Sequence, residues 1–585
     1  MDFSIIVDTF ENMEKTTSRL ALTDYLVELL RKTPASIIDR VVYLIQGKLH
    51  PDYEGVELGL AERLATRAIS LAAGMDISFI EQLYRKTGDL GDTVGKALQS
   101  RNQKISEKMT VERVYQTLDK TANCIGPGSQ ETKLKLVSSL LTDGSSRESR
   151  YIMKFIMGTL RLGIAEYTII DALAVCFTDN KANRTVIQKA YNISSDLGTV
   201  AKILARDGLD SLKSLRVTLH KPIRPMLAER VRNAQEAIER LNGHSGAVEY
   251  KLDGERVQIH KGRNKVELFS RRLENITKHY PDVVEAIQKL KIGELILEAE
   301  IVAVNSQTNE FLPFQELMHR RRKHGIEQAV EGYPVVIYIF DILYLESKDL
   351  TSLPYLKRRA IIENIAIEQN FDMLALVHQK IVNNIEDLEK QMSRAIEIGC
   401  EGLMIKQPTS VYRAGAREFA WTKLKREYRS DLADTLDLVI VGALYGRGRR
   451  VGKYGAILLA SYDADSDIFR STCKVGTGFT DEHLDFFYKK LEEIQLPHRH
   501  PRVDTRMHMD VWFEPKIVIE VSASEITLSP SHPAGLGAIR EKYGLALRFP
   551  KFTGRIREDK NPEDATAVAE LVSMYKRQLR SVKKS

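Results

Sequence analysis

The sequence is poor in cysteine and has no closely spaced cysteine pair. Four cysteines, Cys124, Cys176, Cys400 and Cys473, are spread over 585 residues. Because no C-x-x-C pair is present, neither a zinc module nor a disulfide framework is predicted. We expect the four thiols to be reduced and structural, as in a cytoplasmic protein.

Long apolar runs are also absent. No run approaches the roughly 18 apolar residues that cross a bilayer. The first residues, MDFSIIVDTFENMEKTT, carry acidic side chains where a secretory signal would carry basic ones. No low-complexity tract and no repeat of about 20 to 50 residues is found. We therefore expect an intracellular, soluble, cytoplasmic protein without a membrane partner.

No charge of one sign dominates. The 86 Lys and Arg residues and 79 Asp and Glu residues leave a formal net charge of +7. This balance permits a polyanionic partner without demonstrating one, because charge indicates partners only when it is clustered. At about 150 residues per domain, the length predicts three or four domains.

Hydrophobic periodicity divides the chain into three parts and predicts a multidomain α+β protein. Residues 1–217 are predicted to be an all-α domain, from helical spacing in LTDYLVELLRK, TKLKLVSSLLTD and YIMKFIMGTLRLGI. After the proline-containing linker LHKPIRPM, residues 218–429 alternate short strands with helices, as in LILEAEIVAV and IEDLEKQMSRAIEIG. Residues 430–585 contain strand-like runs that predict a small β-barrel, followed by a helix over PEDATAVAELVSMYKRQL.

The clearest candidate for chemistry is the lysine of EYKLDGER, residues 249–256. Alternation along a strand would place Val248, Tyr250 and Leu252 in a core, with Glu249, Lys251 and Asp253 on the opposite face. Asp-Gly is a turn signal, so RVQIH is predicted to return as the second strand of a hairpin. The pattern thus places one lysine at a pocket edge, beside carboxylates and Arg256.

A nucleophilic lysine has to be deprotonated, although a free lysine has a pKa of about 10.4. Burial and neighbouring cations both lower lysine pKa values and so favour such chemistry. K-x-D-G is short and recurs by chance, so a surface lysine at a hairpin is the alternative.

Further segments follow in a fixed order and favour the catalytic interpretation. Each alone is more often structural, since an aromatic in a strand is usually core and a charged run is usually solvated. The segments are SRRLE with Arg271, LILEAEIV with Glu298 and Glu300, YIFD with Phe340, EGLMIK with Glu401, and WTKLK with Lys423 and Lys425 on one face. The two adjacent lysines Lys423 and Lys425 predict phosphate contacts, and the joint occurrence of all the segments in this order favours a functional site.

This ordered set resembles the motifs of covalent nucleotidyltransferases, the superfamily of DNA ligases, RNA ligases and mRNA capping enzymes. Other segments are similar to the ATP-dependent replicative DNA ligases of archaea and eukaryotes: GTLRLGIAE, LPFQELMHRRRK, YRAGAREFAWTKLK and GLALRFPKFTGRIREDK. The resemblance covers essentially the whole chain. It implies a helical DNA-binding domain, an adenylation domain and a C-terminal OB-fold barrel with a terminal helix.

The resemblance also implies an activity, which is the sealing of nicks in duplex DNA with ATP as AMP donor and Mg²⁺ or Mn²⁺. Lys251 would carry AMP. The implied partners of the nucleotide are Glu249 for adenine, Phe340 for stacking, Arg256, Arg271 and Glu300 for ribose and phosphates, Glu300 and Glu401 for the metal, Arg417, Lys423 and Lys425 for phosphate oxygens, and Arg557, Asp559 and Lys560 for the leaving pyrophosphate. A glycine-rich basic loop adds DNA-contact candidates, which are Arg447, Arg449 and Arg450.

Two departures from the family pattern bear on this interpretation. Ala299 stands where many relatives have Gly, and the segment QKISEK around Gln103 lacks the paired aromatics of a clamp-binding segment. A sliding clamp therefore stays an open question as a partner, and we expect a monomer. The alternatives are an RNA ligase, a GTP-using capping enzyme, an NAD-dependent ligase or a catalytically silent scaffold, so nucleotide preference stays open as well.

Overall fold

The structure is a computed structural model. It describes residues 1–99, 108–304, 311–312, 314–321, 325–368, 373–425, 435–446, 450, 452–523 and 525–583. Two compact units divide the described chain: one comprises Met1–Arg85 with Leu90–Lys425, and the other comprises Lys86–Asp89 with Arg426–Ser585. The domain boundaries expected after residues 217 and 429 stay predictions, and the second lies in 426–434, outside the described residues.

The first part of the chain is helical, as predicted, and its apolar residues form one core. Its helices are α1 Ser4–Glu14, α2 Arg19–Lys32, α3 Ile38–Ile45, α4 Glu62–Ala73, α5 Ile77–Thr87, α6 Leu90–Gln99, α7 Val111–Asn123, α8 Ser129–Asp143, α9 Ser146–Ile156, α10 Glu166–Thr178, α11 Arg184–Ser194, α12 Leu197–Asp207 and α13 Leu209–Leu212.

One helix prediction in this part is wrong. The apolar period of YIMKFIMGTLRLGI predicts a continuous helix, but α9 ends at Ile156. Gly158 follows in the left-handed region with φ of 64°, a conformation that commonly ends helices. The segment from Gly158 to Ala165 is a loop that leads to α10.

The central part contains two sheets in one mixed α/β region, in agreement with the prediction. Its strands are β1 Leu227–Val231, β2 Gly246–Lys251, β3 Glu255–Lys261, β4 Val266–Ser270, β5 Leu295–Ala303, β6 Val335–Leu345, β7 Lys348–Asp349, β8 Leu374–Leu376, β9 Gln379–Val382, β10 Gly402–Lys406 and β11 Arg417–Lys425. The helices are α14 Ala234–Glu239, α15 Pro281–Gln288, α16 Phe314–Leu317, α17 Ile326–Gly332, α18 Tyr355–Glu368 and α19 Ile385–Glu397. One sheet has the order β1–β11–β10–β2–β9 and the other β4–β3–β5–β6–β7, with β8 beside β6.

The predicted hairpin at Asp253-Gly254 is wrong. Strand β2 pairs with β10 and β9, whereas β3 pairs with β4 and β5. The chain therefore passes from one sheet to the other at this point. Gly254 is required here because a Cβ atom would come within 2.3 Å of the Ile301 carbonyl oxygen on β5. The local Asp-Gly signal marked a crossing between sheets, which holds Lys251 at the edge where both sheets meet.

The C-terminal unit is strand-rich with a curled sheet, as predicted, and it has its own apolar core. Its elements are β12 Leu436–Tyr445, β13 Tyr454–Asp463, β14 Ile468–Val475, α20 Asp481–Glu492, β15 Gln495–Leu496, β16 Val503–Asp504, β17 Val511–Phe513, β18 Val518–Ser522, β19 Glu525–Ser529, β20 Gly544–Arg548, β21 Lys551–Ile556 and α21 Val568–Lys583. Strands follow the order β15–β17–β12–β13–β14–β16, and β18 pairs with β12 and β21.

The terminal helix is confirmed, but it starts at Val568 and not at the predicted Pro562. All four cysteines are free, as expected. Among the described residues, no helix has the length and apolar character needed to cross a membrane.

Candidate active site

Strand register places the candidate lysine beside a second lysine. Lys251 is the last residue of β2 and lies opposite Gly402 of β10, which in turn lies opposite Lys425 of β11. Residues directly opposite each other in antiparallel strands point to the same face. Because Gly402 has no side chain, nothing on the middle strand separates Lys251 from Lys425.

Glu401 lies between these two lysines. Its Oε2 atom is 2.7 Å from Nζ of Lys251 and 2.8 Å from Nζ of Lys425. The backbone N–H of Glu401 also donates to the Lys251 carbonyl at 2.8 Å, so the carboxylate is held at the strand end. Burial alone would raise the pKa of Glu401, but the ammonium groups of Lys251 and Lys425 lower it to about 2.

Two further carboxyl groups share this edge. Burial, together with the Glu401 carboxylate, raises the pKa of Asp253 to about 6. Burial raises the pKa of Glu300 to about 7, although Lys251 and Arg256 act in the opposite direction. Both groups therefore change charge close to neutral pH, unlike an ordinary carboxyl group.

Lys423 precedes Lys425 by two residues on β11, and other cations lie near it. Burial lowers the pKa of Lys423, and the positive charges of Lys251, Lys425, Arg271 and Arg417 lower it further. The structure thus brings together five of the cationic side chains that were predicted for phosphate contacts or catalysis. Such crowding of like charges is unfavourable unless an anion is present, and it suits a polyphosphate.

Glu249, which alternation placed on the face opposite Val248 and Leu252, is buried with 2% of its surface exposed. Its Oε2 atom is 2.7 Å from Nζ of Lys406, and its Oε1 atom accepts from the Tyr355 hydroxyl. Arg359 Nη1 lies 3.7 Å from Oε1. Because each of these groups provides a hydrogen-bond donor, Glu249 is held as an acceptor.

Lys406 is a central residue of this site that sequence reasoning missed. It is 1% exposed, and its Nζ lies 4.3 Å, 4.6 Å and 4.7 Å from the ring centroids of Trp421, Tyr355 and Phe340. It also donates to the Phe340 carbonyl at 3.3 Å. The only signal in the sequence was its place at the end of EGLMIK, where a basic residue closes an apolar strand.

Arg256 is partly buried, with 16% of its side chain exposed, and it is paired. Its Nε atom donates to Glu298 Oε2 at 2.7 Å, and Nη1 donates to the Met226 carbonyl at 2.8 Å. Its guanidinium lies 5.4 Å from the centroid of Phe340, the ring predicted to stack on a base. Glu298 also accepts from Tyr412 at 2.9 Å, a second partner that sequence reasoning did not identify.

Comparisons with known proteins agree with this geometry. Family models for the DNA ligase N terminus, the ATP dependent DNA ligase domain and the ATP dependent DNA ligase C terminal region match residues 2–174, 225–425 and 450–560. The DNA ligase of Cenarchaeum symbiosum (strain A) is 52% identical over 585 residues, covering 100% of this chain and 99% of that protein. The chain belongs to the ATP-dependent DNA ligase family.

Other relatives of this ligase are as extensive. The DNA ligase of Nitrosopumilus maritimus (strain SCM1) is 52% identical, covering 99% of this chain and 98% of that protein. The probable DNA ligase of Aquifex aeolicus (strain VF5) is 46% identical, covering 99% of both chains. The solved structure named Pmar-Lig_PreS3 shares the fold, with a TM-score of 0.53 at 17% identity over 93% of this chain and 98% of that one.

The C-terminal unit of the ligase holds the R-x-D-K residues in a closed ion-pair network. Arg557 pairs with Asp559 through Nη2 at 2.8 Å and with Asp437 through Nη1 at 2.7 Å. Lys560 Nζ lies 2.7 Å from the same Asp437 oxygen. Sequence reasoning missed Asp437, which lies 120 residues before Arg557.

Of the three DNA-contact candidates, the structure describes only Arg450. Arg450 donates through Nη1 to the carbonyls of Gly455 and Gly476, at 3.1 Å and 2.8 Å, so this guanidinium supports the loop. Arg447 and Arg449 lie outside the described residues, as does the segment around Gln103.

A divalent cation fits the carboxyl groups near Lys251. Oxygen donors suit Mg²⁺ and Mn²⁺, and a cation would stabilise the charged forms of Asp253 and Glu300, whose pKa values are raised by burial and, to a smaller extent, by the neighbouring Glu401 carboxylate. No cluster of at least three His, Cys, Asp or Glu side chains arranged for a metal occurs in the part of the chain that the structure describes.

Proposed function

We propose that this ligase seals nicks with a 5′-phosphate and a 3′-hydroxyl in duplex DNA, through AMP carried on Lys251. The observation that carries the proposal is the position of Lys251, 2.7 Å from Glu401 and among the cations around Lys423. An amine that attacks a triphosphate requires both a fixed position and compensation of phosphate charge.

The reaction takes three in-line displacements at phosphorus. The neutral amine of Lys251 attacks the α-phosphorus of ATP, the bond to the β-phosphate oxygen breaks, and pyrophosphate and a proton leave. The 5′-phosphate of the nick then attacks the same phosphorus, the lysine–phosphorus bond breaks, and the lysine nitrogen takes up a proton. In the last step the 3′-hydroxyl attacks the 5′-phosphorus and gives up its proton, and the bond from that phosphorus to the AMP oxygen breaks, so that AMP leaves.

The remaining site residues position the nucleotide. Glu249 would accept from the adenine amino group, and Phe340 would stack on the ring. The other proposed contacts are Arg256, Arg271 and Glu300 with ribose and phosphates, Arg417, Lys423 and Lys425 with phosphate oxygens, and Arg557, Asp559 and Lys560 with the leaving pyrophosphate. Glu300 and Glu401 would hold Mg²⁺ or Mn²⁺, which when bound neutralises phosphate charge.

The wider assignments rest on family membership. We propose duplex binding by the helical domain 1–217, adenylation by 218–429 and a further DNA contact through the OB-fold domain 430–585. The Arg447, Arg449 and Arg450 loop is the candidate for that contact. A monomer that acts in DNA replication, repair and recombination fits this layout, and a sliding clamp stays an open partner.

Labelling with radioactive nucleotides tests the proposal. The protein is incubated with Mg²⁺ and α-labelled ATP or GTP, or with NAD carrying a labelled AMP moiety, and label on the polypeptide is measured. We expect label from ATP, which added nicked DNA discharges. Label from GTP alone would indicate a capping-type enzyme, and discharge onto nicked RNA alone would indicate an RNA ligase.

A matched pair of variants assigns the nucleophile. Lys251→Ala should abolish labelling and leave DNA binding intact. Lys380→Ala removes an exposed lysine from the neighbouring strand β9 and should label like the wild type. Unchanged labelling in Lys251→Ala, or a nucleotide adduct mapped by mass spectrometry to another residue, would show that the nucleophile is misassigned.

A further inference from the structure

Asp437 is a buried carboxylate that holds two of the residues proposed for pyrophosphate. Its Oδ2 atom lies 2.7 Å from Arg557 Nη1 and 2.7 Å from Lys560 Nζ. The side chain of Asp437 is 9% exposed, whereas that of Lys560 is 31% exposed. The three groups belong to the C-terminal unit, at the start of β12 and after β21.

The backbone fixes Asp437 more firmly than its partners. Its N–H donates to Thr566 Oγ1 at 3.0 Å, and its carbonyl accepts from the Thr566 N–H at 2.8 Å. Asp437 is also paired in register with Glu520 of β18. Because these contacts fix the backbone of Asp437, its short side chain has a defined position. The carboxylate in turn defines where the longer, flexible side chains of Arg557 and Lys560 point.

Asp559 cannot replace Asp437 in this role. Its side chain is 62% exposed, and it pairs with Arg557 only two residues away, so it moves together with the residue that it contacts. Lys560 has no other ion pair among the residues that the structure describes. Asp437 is therefore the anchor that both cations share.

We propose that Asp437 is a positioning residue for the first step of the reaction, aiming Arg557 and Lys560 at the pyrophosphate that leaves ATP. The inference rests on the proposed function, because it takes lysine adenylation as that step. Asp437 does not touch the nucleotide. It acts through the two cations, and its contribution ends once pyrophosphate has left.

Charge and geometry predict opposite effects of removing this carboxylate. Arg557, Lys560, Asp437 and Asp559 together are neutral, so Asp437→Asn would leave a positive charge that attracts pyrophosphate. The same change would remove the only ion-pair partner that the structure gives Lys560 and free its side chain to take several rotamers. A misplacement of about 1 Å can cost about 100-fold in rate, more than a weak surface attraction provides. We therefore expect the loss of positioning to outweigh the added positive charge, so that the first step becomes slower.

The test separates the first step from the last. Lysine–AMP formation is measured with labelled ATP over a range of concentrations, and the last step with nicked DNA that already carries 5′-AMP. For Asp437→Asn we expect lysine adenylation at saturating ATP to slow by about 10- to 100-fold, with KM changed less. Sealing of the adenylated nick should stay within about 2-fold of wild type, since no pyrophosphate leaves in that step.

Asp463→Asn is the matched control. Asp463 also pairs with an arginine of the same unit, Arg470, at 2.7 Å, but it has no contact with the R-x-D-K residues among the described ion pairs. This variant should keep wild-type rates in both assays. Equal losses in both assays for Asp437→Asn, or an unchanged or faster first step, would overturn the inference.

The variant Asp437→Glu and the wild-type protein complete the experiment. If Asp437→Asn melts below the assay temperature, Asp437→Glu decides, because it keeps the charge and displaces the cations by one methylene. A slowed first step with a normal last step then supports the inference, and wild-type rates in both overturn it. Failure of the wild type to form lysine–AMP would instead refute the proposed function itself.

Discussion

Replacing Lys406 by methionine should destabilise the catalytic part of this ligase. Lys406 is 1% exposed and pairs at 2.7 Å with Glu249, which is 2% exposed. Methionine fills a similar volume among the rings of Trp421, Tyr355 and Phe340, so the main loss is the cation. Removing one partner of a buried ion pair costs about 3 to 5 kcal/mol, because the other charge stays buried.

The structure places the expected cost at the lower end of that range. Glu249 keeps its hydrogen bond from the Tyr355 hydroxyl, and Arg359 remains 3.7 Å away. We therefore expect Lys406→Met to lower the free energy of unfolding by about 3 kcal/mol. The double variant Lys406→Met/Glu249→Gln should recover more than half of this loss, since it leaves no buried charge of the pair.

Urea unfolding followed by tryptophan fluorescence measures this loss. The ligase has two tryptophans, and Trp421 lies against Lys406, so all variants carry Trp512→Phe and the signal reports the catalytic part alone. Lys390→Met is the control, because Lys390 forms an exposed ion pair with Glu386 on one helix, and no resolvable change is expected. A loss below about 1 kcal/mol, or no recovery in the double variant, would refute the argument from buried charge.

Three other predictions concern His260, the Arg447/Arg449 loop and Lys423. Burial lowers the pKa of His260 to about 3, so the unfolded chain binds a proton below about pH 6.5 that the native state does not. Stability should therefore fall with decreasing pH by up to about 1.4 kcal/mol per unit, and urea unfolding of His260→Gln should show a flatter profile; an equally steep profile would contradict this. Arg447→Glu/Arg449→Glu should weaken nick sealing and reduce the salt dependence of DNA binding, and unchanged binding isotherms would identify the loop as ordinary surface. Lys423→Met should raise the melting temperature of the nucleotide-free ligase, because it relieves the cations around it, but should reduce the upward shift caused by ATP; a larger shift would rule out phosphate contact.

Local sequence patterns predicted what depends on strand alternation and residue order. Lys423 and Lys425 lie on one face of β11, as alternation requires, and Lys251 lies beside carboxylates as expected. The pairing of β2 was not predictable, because Asp253-Gly254 is a turn signal at short range. Which strands pair is decided by contacts far along the chain, such as that between Lys251 and Gly402.

The burial of Glu249 illustrates the same limit. Alternation assigned it to the face opposite Val248 and Leu252, but what covers that face was not predicted: Tyr355, which is 106 residues away, and Lys406. A period of two distinguishes the faces of a strand but does not show what covers each face. The end of α9 at Ile156 is a related case, since apolar spacing continued through a glycine that takes a left-handed conformation.

The charged groups of this ligase are arranged in two different ways. Glu249 and Lys406 are buried and paired with each other. Around Lys423, cations are crowded and partly open, and carboxyl groups with pKa values of about 6 and 7 lie beside them. Repulsion among these cations is unfavourable in the free protein, and under the proposed function the phosphate groups of ATP would offset it. The paired network would then hold the base while the crowded one compensates the reacting phosphates, and Lys251 lies where the two meet.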